Sequence, residues 1–360
     1  MHNNKHFPVV DLFDQQQKIL NFLLNKLKFA IIGCGRIAVR HAEIISGIAE
    51  LTAVCDIKPE RANDFAKKFS AKPYTSIEEL LKNETNIDVV SICTPNSLHS
   101  AHTILALNAG MNVLCEKPMA ISVSECNKMM IEADKSGKDL FIVKQNRFNP
   151  PVAALKEVID SGKLGKILSV ELNCFWNRND EYYRQSDWKG KKAIDGGTLF
   201  TQFSHFIDLL YWLIGDFKTL NGIGRNFIHN ELVEFEDTGV VVGEFSNGAL
   251  CTINYTVNSY KQNMEGSITV FGEKGTVKIG GQYLNVLEYQ SIDGFTIEGL
   301  PASRPANDYG FYQGSMSNHE KVYENVLDVL TKGGTIAANA FEGMKTVEII
   351  ERIYKSMEEK

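Results

Sequence analysis

From Phe29 to about Lys144 short apolar runs alternate with stretches whose apolar positions recur every three or four residues. Phe29–Ile32, Leu51–Cys55, Asp88–Cys93, Asn112–Cys115 and Asp139–Val143 read as strands, with a shorter one near Tyr74. Arg61–Phe69, Ile77–Leu81, Ser97–Ala109 and Val123–Lys135 read as helices between them. Strands almost free of polar side chains, each followed by a helix, predict a parallel sheet covered on both faces. The period then changes. Ile167–Trp176, Val240–Phe245, Leu250–Thr256 and Ser267–Phe271 alternate apolar with polar residues, with turns at Asn247-Gly248 and Gly272-Glu273-Lys274-Gly275, which predicts a largely antiparallel sheet with one covered face. Leu199–Leu213 is read as the longest helix of this half, and helices over Asn318–Leu330 and Phe341–Met357 close the chain. Between the halves, Gln145 to Pro151 reads as a crossing, because its double proline discourages both helix continuation and a central strand.

With 360 residues, 44% of them hydrophobic and 23% charged, the chain can bury the cores of two domains. A net charge of -6 and the lack of any basic run argue against a nucleic-acid partner. The most apolar helical stretch, Phe203–Ile214, carries His205 and Asp208 and is too short for a membrane span. Seven cysteines without a C-x-x-C pair, and no clustered histidines, point to a reducing cytoplasm and to no metal centre. Cys34, Cys55, Cys93 and Cys115 fall at strand positions where a small apolar side chain packs. Ahead of the first strand, Val9, Val10, Leu12, Phe13, Ile19, Leu20, Phe22, Leu23 and Leu24 suit an amphipathic helix. This stretch lacks the marks of a signal peptide and reads either as an arm on a partner subunit or as an accidental extension.

The first strand runs into Gly33-Cys34-Gly35-Arg36-Ile37-Ala38. In such a strand–turn–helix the first glycine reverses the chain, the second lets a pyrophosphate approach the backbone, and a small residue lets the helix lie close to the strand. Free N–H groups at the helix start then face the anion. Asp56 ends the second strand where an acid meets the adenosine ribose, favouring NAD over NADP; Lys58 and Arg61 behind it pull the other way. Its alternative is a helix N-cap ahead of Pro59. Thr94-Pro95-Asn96 and Glu116-Lys117-Pro118 follow two further strands, on the rim where open α/β sheets bind ligands. The expected fold class is therefore α/β: an N-terminal Rossmann domain with a doubly wound parallel sheet, then a C-terminal α+β domain with a large, mostly antiparallel open sheet. Residues 1–27 form the extension, 28–145 the first domain and 146–360 the second, whose C-terminal helices pack back on the first.

Taken in order, the glycine turn, Cys55-Asp56, Thr94-Pro95-Asn96 with His99, Glu116-Lys117-Pro118, and Gly196-Gly197 followed by His205 and Asp208 resemble the Gfo/Idh/MocA family, the glucose–fructose oxidoreductase and inositol dehydrogenase group. The resemblance runs from about Lys28 to the C-terminus. It implies NAD contacted by Gly33, Gly35, Arg36, Ile37, Ala38, Asp56, Thr94, Pro95, Asn96, His99, Glu116, Lys117, Asn146 and Trp188. It implies Lys117 and His205 as the acid–base pair, Lys117 lying beside the nicotinamide and commonly joined to its proline by a cis bond. Where many relatives carry an aspartate four residues before the histidine, this chain has Thr201, with Gln202 next to it. That departure makes it most similar to the branch acting on nucleotide sugars, the UDP-N-acetylglucosamine(uronate) 3-dehydrogenases. Lys117, Arg147, Tyr183, Thr201, Gln202 and His205 are the implied substrate contacts. Arg147 stays open between holding a carboxylate or phosphate and a structural ion pair at the crossing. The segment with Asn177, Arg178, Tyr182, Tyr183, Arg184, Trp188 and Lys189 reads as a sugar or UDP wall, or as a solvated loop. The implied activity is oxidation of a sugar ring hydroxyl, at C3 of a UDP-N-acetylhexosamine or its uronate. A dehydrogenase of a free polyol or aldose, or a cofactor-binding sensor without turnover, are the alternatives, and a homodimer or homotetramer paired through the second sheet is implied.

Overall fold

The computed structural model describes residues 26–358 apart from 309 and 311; the reading of residues 1–25 as an amphipathic arm lies outside them. The first sheet has six parallel strands in the order β3-β2-β1-β4-β5-β6. They are β1 (Lys28–Ile32), β2 (Glu50–Cys55), β3 (Lys72–Tyr74), β4 (Val89–Ile92), β5 (Asn112–Cys115) and β6 (Leu140–Ile142). Every residue of β4 is buried, as a central strand covered on both faces requires. The strand order reverses between β1 and β4, which opens a crevice beyond their C-terminal ends. Helices α1 (Arg36–Ile48), α2 (Pro59–Phe69), α3 (Ile77–Asn83), α4 (His99–Asn108) and α5 (Val123–Ser136) connect the strands.

At the crossing the double proline starts a helix instead of only interrupting one. After a 3₁₀ turn over Gln145–Phe148, α6 (Pro150–Asp160) carries both prolines in its first turn. The first helical N–H groups have no intrahelical acceptor and proline's φ already suits a helix, so nothing is lost there. The second sheet has seven strands in the order β13-β12-β11-β7-β10-β9-β8. These are β7 (Ile167–Phe175), β8 (Phe217–Arg225), β9 (Thr238–Phe245), β10 (Leu250–Thr256), β11 (Glu265–Gly272), β12 (Gly275–Gly280) and β13 (Val286–Ile292). The β7–β10 pair is parallel and the others are antiparallel. A short antiparallel ribbon, β14 (Ala306–Asp308) and β15 (Gln313–Met316), follows.

Two short helices, α7 (Asp180–Arg184) and α8 (Lys192–Asp195), follow β7, and the helix expected over Leu199–Leu213 is broken. It forms α9 (Thr198–Thr201) and α10 (Ser204–Ile214), because Gln202 is held between Arg178 and Tyr182 and the backbone leaves helical geometry at Phe203, φ -117 and ψ 6. The longest helix of this half is instead α12 (Ala340–Glu358), whose Val347, Ile349, Ile350 and Ile353 are buried. Ahead of it, α11 (His319–Lys332) packs Val322, Tyr323 and Val326 against Phe29, Ile31, Ala42 and Ile45 of the first sheet's layer.

The crossing is locked by a buried ion cluster. Arg147 Nε and Nη2 donate to Asp208 Oδ2 and Oδ1, both at 2.8 Å, and Nη1 donates to Glu342 Oε2 at 2.9 Å. Lys144 Nζ lies 3.1 Å from Asp208 Oδ1. Burial opposes ionisation of Asp208, but Arg147 and Lys144 outweigh it and hold the carboxyl far below its usual range. Every N–H edge of Arg147 that could grip a substrate is therefore used, and of its two readings the structural ion pair is the one found. No helix among the described residues is long and apolar enough to cross a membrane.

Candidate active site

A cavity of about 1160 Å³ lies beyond the C-terminal ends of β1, β2, β4 and β5 and is walled on its other side by residues from the second half. At its floor Gly33 has φ +93, and a Cβ there would sit 2.7 Å from the Cys93 carbonyl oxygen, so the turn admits only glycine. Gly35 faces nothing within 4 Å; as the N-cap of α1 it receives no side-chain cap. The start of a helix with free N–H groups thus opens onto empty space, which suits an anion. Ala38 is fully buried under the turn and does not reach the cavity. Asp56 accepts the Cys34 N–H through Oδ2 and the Lys58 N–H through Oδ1, each at 2.9 Å, and still lines the cavity. It is not the N-cap of α2, a position held by Lys58.

The two rim loops are tied to each other and to the opposite wall. His99 has Nδ1 2.7 Å from the Pro118 carbonyl oxygen and Nε2 2.9 Å from that of Thr94, so its ring spans both loops. Asn96 donates to the Asp195 carbonyl at 2.8 Å and to Thr201 Oγ1 at 2.7 Å. Glu116 Oε1 lies 2.9 Å from His41 Nε2 and 3.5 Å from His319 Nε2, while Oε2 accepts the Lys117 N–H at 3.0 Å. Burial works against ionised Glu116, but hydrogen bonds from His319 and His41 outweigh it and hold its carboxyl well below the usual range. Two histidines remote in sequence thus meet one carboxylate, a cluster the spacing of histidines along the chain does not disclose.

Lys117, joined to Pro118 by a cis bond, reaches across the cavity and donates from Nζ to the Thr201 carbonyl at 2.8 Å. Burial, helped by the Lys144 and Arg178 cations and opposed by Glu116 and Asp195, brings its ammonium down to about 8. His205 stands on α10 with Nε2 3.2 Å from Gln145 Nε2 and Nδ1 without a partner. Burial and the nearby Lys117 and Lys144 cations push its pKa well below the ordinary histidine value, so the ring is neutral.

Thr201 carries no charge, but its hydroxyl donates to Asp195 Oδ1, and Asp195 Oδ2 accepts the Gly190 N–H at 2.7 Å. Burial raises Asp195 to about 6. Asp195 was not among the residues expected from the sequence; its only local signal is its place before Gly196-Gly197. Gln202 accepts from Arg178 Nε at 2.6 Å and donates to the Tyr182 hydroxyl at 2.7 Å. Arg36, Ile37, Thr94, Pro95 and Trp188 also line the cavity. Tyr183, Asn146 and Arg147 do not. On the short α7, Tyr182 turns to the cavity and Tyr183 packs behind it against His229, 5.1 Å between ring centroids. Asn146 is buried in the 3₁₀ turn beside the ion cluster.

Residues 27–144 match the oxidoreductase family's NAD-binding Rossmann fold, and residues 156–360 match its C-terminal alpha/beta domain. The chain belongs to the Gfo/Idh/MocA family. Its cofactor is NAD, and the free helix start above Gly35, the carboxylate at the end of β2 and the volume of the cavity all fit a dinucleotide. The solved WlbA dehydrogenase from Chromobacterium violaceum, in complex with NADH and UDP-GlcNAcA, is 34% identical with a TM-score of 0.84, covering 93% of this chain and 94% of that one. A glucose-6-phosphate 3-dehydrogenase from Bacillus subtilis is 28% identical over 91% of this chain and 95% of its own. An inositol 2-dehydrogenase from Salmonella typhimurium is 30% identical over 70% of this chain and 74% of its own. The family member described here is thus an NAD-dependent dehydrogenase of the sugar and polyol type.

Proposed function

We propose that this dehydrogenase oxidises C3 of a UDP-linked N-acetylhexosamine or its uronate. The observation that carries the reading is the Lys117 amine, lowered toward neutrality and aimed across a cavity that the glycine turn and His205 share. The likeness to the WlbA dehydrogenase supports the choice of sugar. NAD supplies the hydride acceptor. Gly33, Gly35, Arg36 and Ile37 seat its pyrophosphate, Asp56 takes the ribose hydroxyls, and Thr94, Pro95, Asn96, His99 and Trp188 wall the nicotinamide side. Neutral Lys117 takes the proton of the reacting hydroxyl while His205, held by Gln145, directs that hydroxyl by a hydrogen bond. Exposed Leu168, Val240, Val242 and Leu250 share the open face of the second sheet and provide the surface for a homodimer or homotetramer.

A second reading, a free polyol or sugar phosphate as substrate, is favoured by the inositol and glucose 6-phosphate relatives. Incubation with NAD and UDP-N-acetylglucosamine, its uronate, myo-inositol or glucose 6-phosphate, followed by absorbance of the reduced cofactor, separates the two; turnover of inositol alone sinks the nucleotide-sugar reading.

The proton step has a pH signature. Because the neutral amine is the base, the oxidation rate rises with pH through a limb near the Lys117 value of about 8. Asp195 raises the Lys117 pKa, so Asp195→Asn shifts that limb to lower pH. A limb that stays in place shows that Lys117 is not the titrating base.

A further inference from the structure

Arg178, three residues beyond β7, is 2% exposed and yet lines the cavity. Its acceptors are all neutral: Gln202 Oε1 at 2.6 Å, the Asn177 carbonyl at 2.6 Å and Asn263 Oδ1 at 3.2 Å. Among the described residues no carboxylate pairs with it, and Nη2 makes no hydrogen bond. Arg147, comparably buried, has Asp208 and Glu342 as counterions. A guanidinium does not shed its proton to escape burial, so a buried one without a counterion is unfavourable unless something else supplies the negative charge.

The surroundings make the imbalance larger. The guanidinium carbon lies 5.0 Å from the Trp176 ring centroid and 5.2 Å from that of Tyr182, faces that orient a cation but do not neutralise it. On Tyr182 sits a second cation, Lys189, with Nζ 3.6 Å from the ring centroid and neither a hydrogen bond nor an ion pair to that amine among the described residues. Burial and the like charges of Arg36 and Arg178 bring Lys189 down to about 7. The facing carboxylate, Asp195, is engaged by Thr201 and Gly190. Arg178 is braced by Gln202, next to the residue whose carbonyl holds Lys117, which ties it to the wall bearing the reacting amine. Its guanidinium carbon also lies 5.1 Å from the Tyr312 ring centroid, with Arg36 of the glycine turn 5.9 Å from the same centroid, so NADH affinity is measured beside substrate affinity to tell a substrate anion from the cofactor's own phosphates.

We infer that the substrate is an anion whose carboxylate or phosphoryl oxygens bind Arg178, with Lys189 adjoining. This rests on the reading of the cavity as a sugar-oxidising site. A negative group there supplies the counterion Arg178 lacks and favours the protonated form of Lys189, and a neutral polyol does neither.

The test measures dissociation constants and initial rates for four probes on the NADH or NAD complex: UDP-N-acetylglucosaminuronate, UDP-N-acetylglucosamine, free N-acetylglucosaminuronate and myo-inositol. In Arg178→Gln the anionic probes are expected to bind roughly tenfold or more weakly, the scale of a lost charge-assisted hydrogen bond, with NADH affinity unchanged. Arg178→Lys recovers part of the loss. A loss shared by both acids and absent for UDP-N-acetylglucosamine assigns the carboxylate; a loss shared by both nucleotides and absent for the free acid assigns the phosphoryl group. Should Arg178→Gln fail to fold, Lys189→Met, at the adjoining amine on the Tyr182 ring, carries the same comparison. Anions that bind the variants as tightly as the parent, or that do not bind the parent at all, overturn the inference. If Arg178-dependent binding occurs without turnover, the inference stands and the sugar-oxidation reading falls; if myo-inositol is oxidised and anions are indifferent to Arg178, the reverse holds.

Discussion

Lys117→Met is expected to lower kcat by roughly 10²–10⁴-fold, the range for loss of a positioned general base, while NADH still binds. Methionine keeps the length and apolar stem of the side chain, so the rim loop retains its packing and the Glu116 carboxylate still accepts the backbone N–H of residue 117. What disappears is the amine that bonds the Thr201 carbonyl and faces the cavity. His205 is a poor replacement, because burial, the largest cause of its lowered pKa, and the Lys144 cation both remain when Lys117 is gone. Single-turnover absorbance with saturating substrate reads the chemical step, and NADH fluorescence reads the binding. A kcat within tenfold of the parent would mean that another group removes the proton.

Asp208→Ala has the largest expected effect on stability, about 3–5 kcal/mol, the cost of leaving buried charge unpaired. Lys144 and Arg147 would keep their positive charges inside the crossing, with only Glu342, 22% exposed at its side chain, to answer them. Chemical denaturation midpoints check the magnitude, and the pH dependence checks the cause. The folded-state pKa of Asp208 lies below its ordinary 3.8, so its contribution is present above that value and is lost as pH falls below it. The parent should therefore lose more stability over that acid range than the variant, which retains the acid-labile contribution of Glu116 but not that of Asp208. A destabilisation under about 1 kcal/mol, the size of an exposed pair, would show that the cluster is solvated in the protein.

The glycine turn, the rim loops and the strand ends carrying them were legible because each depends on neighbours in the chain. Gly33 must be glycine where β1 meets the loop after β4, and a strand buried on both faces can hold few polar residues. Strands β8, β12 and β13 were not legible. In β8 and β12 the glycines Gly222, Gly224, Gly275 and Gly280 interrupt the apolar alternation that marks a strand, whereas Met357, Glu236, Leu164 and Glu288 pack against those positions from elsewhere in the fold; in β13 no residue is buried. The break after Thr201 was hidden for a similar reason: Arg178 and Tyr182, which hold Gln202, lie 24 and 20 residues before it in the chain.

Local sequence alone thus determined the alternating strand–helix half, the sheet-rich half and the place of Lys117 on its loop, since apolar period, turn glycines and proline geometry act over a few residues. Only the tertiary structure decided which charges meet. Arg147 is satisfied by Asp208, Glu116 is held by His41 and His319, and Thr201 passes its hydrogen bond to Asp195, whereas Arg178 is left facing the cavity with neutral partners. Electrostatic pairing in a buried site depends on distances across the crevice and on exclusion of water, and neither is written in the spacing of residues along the chain.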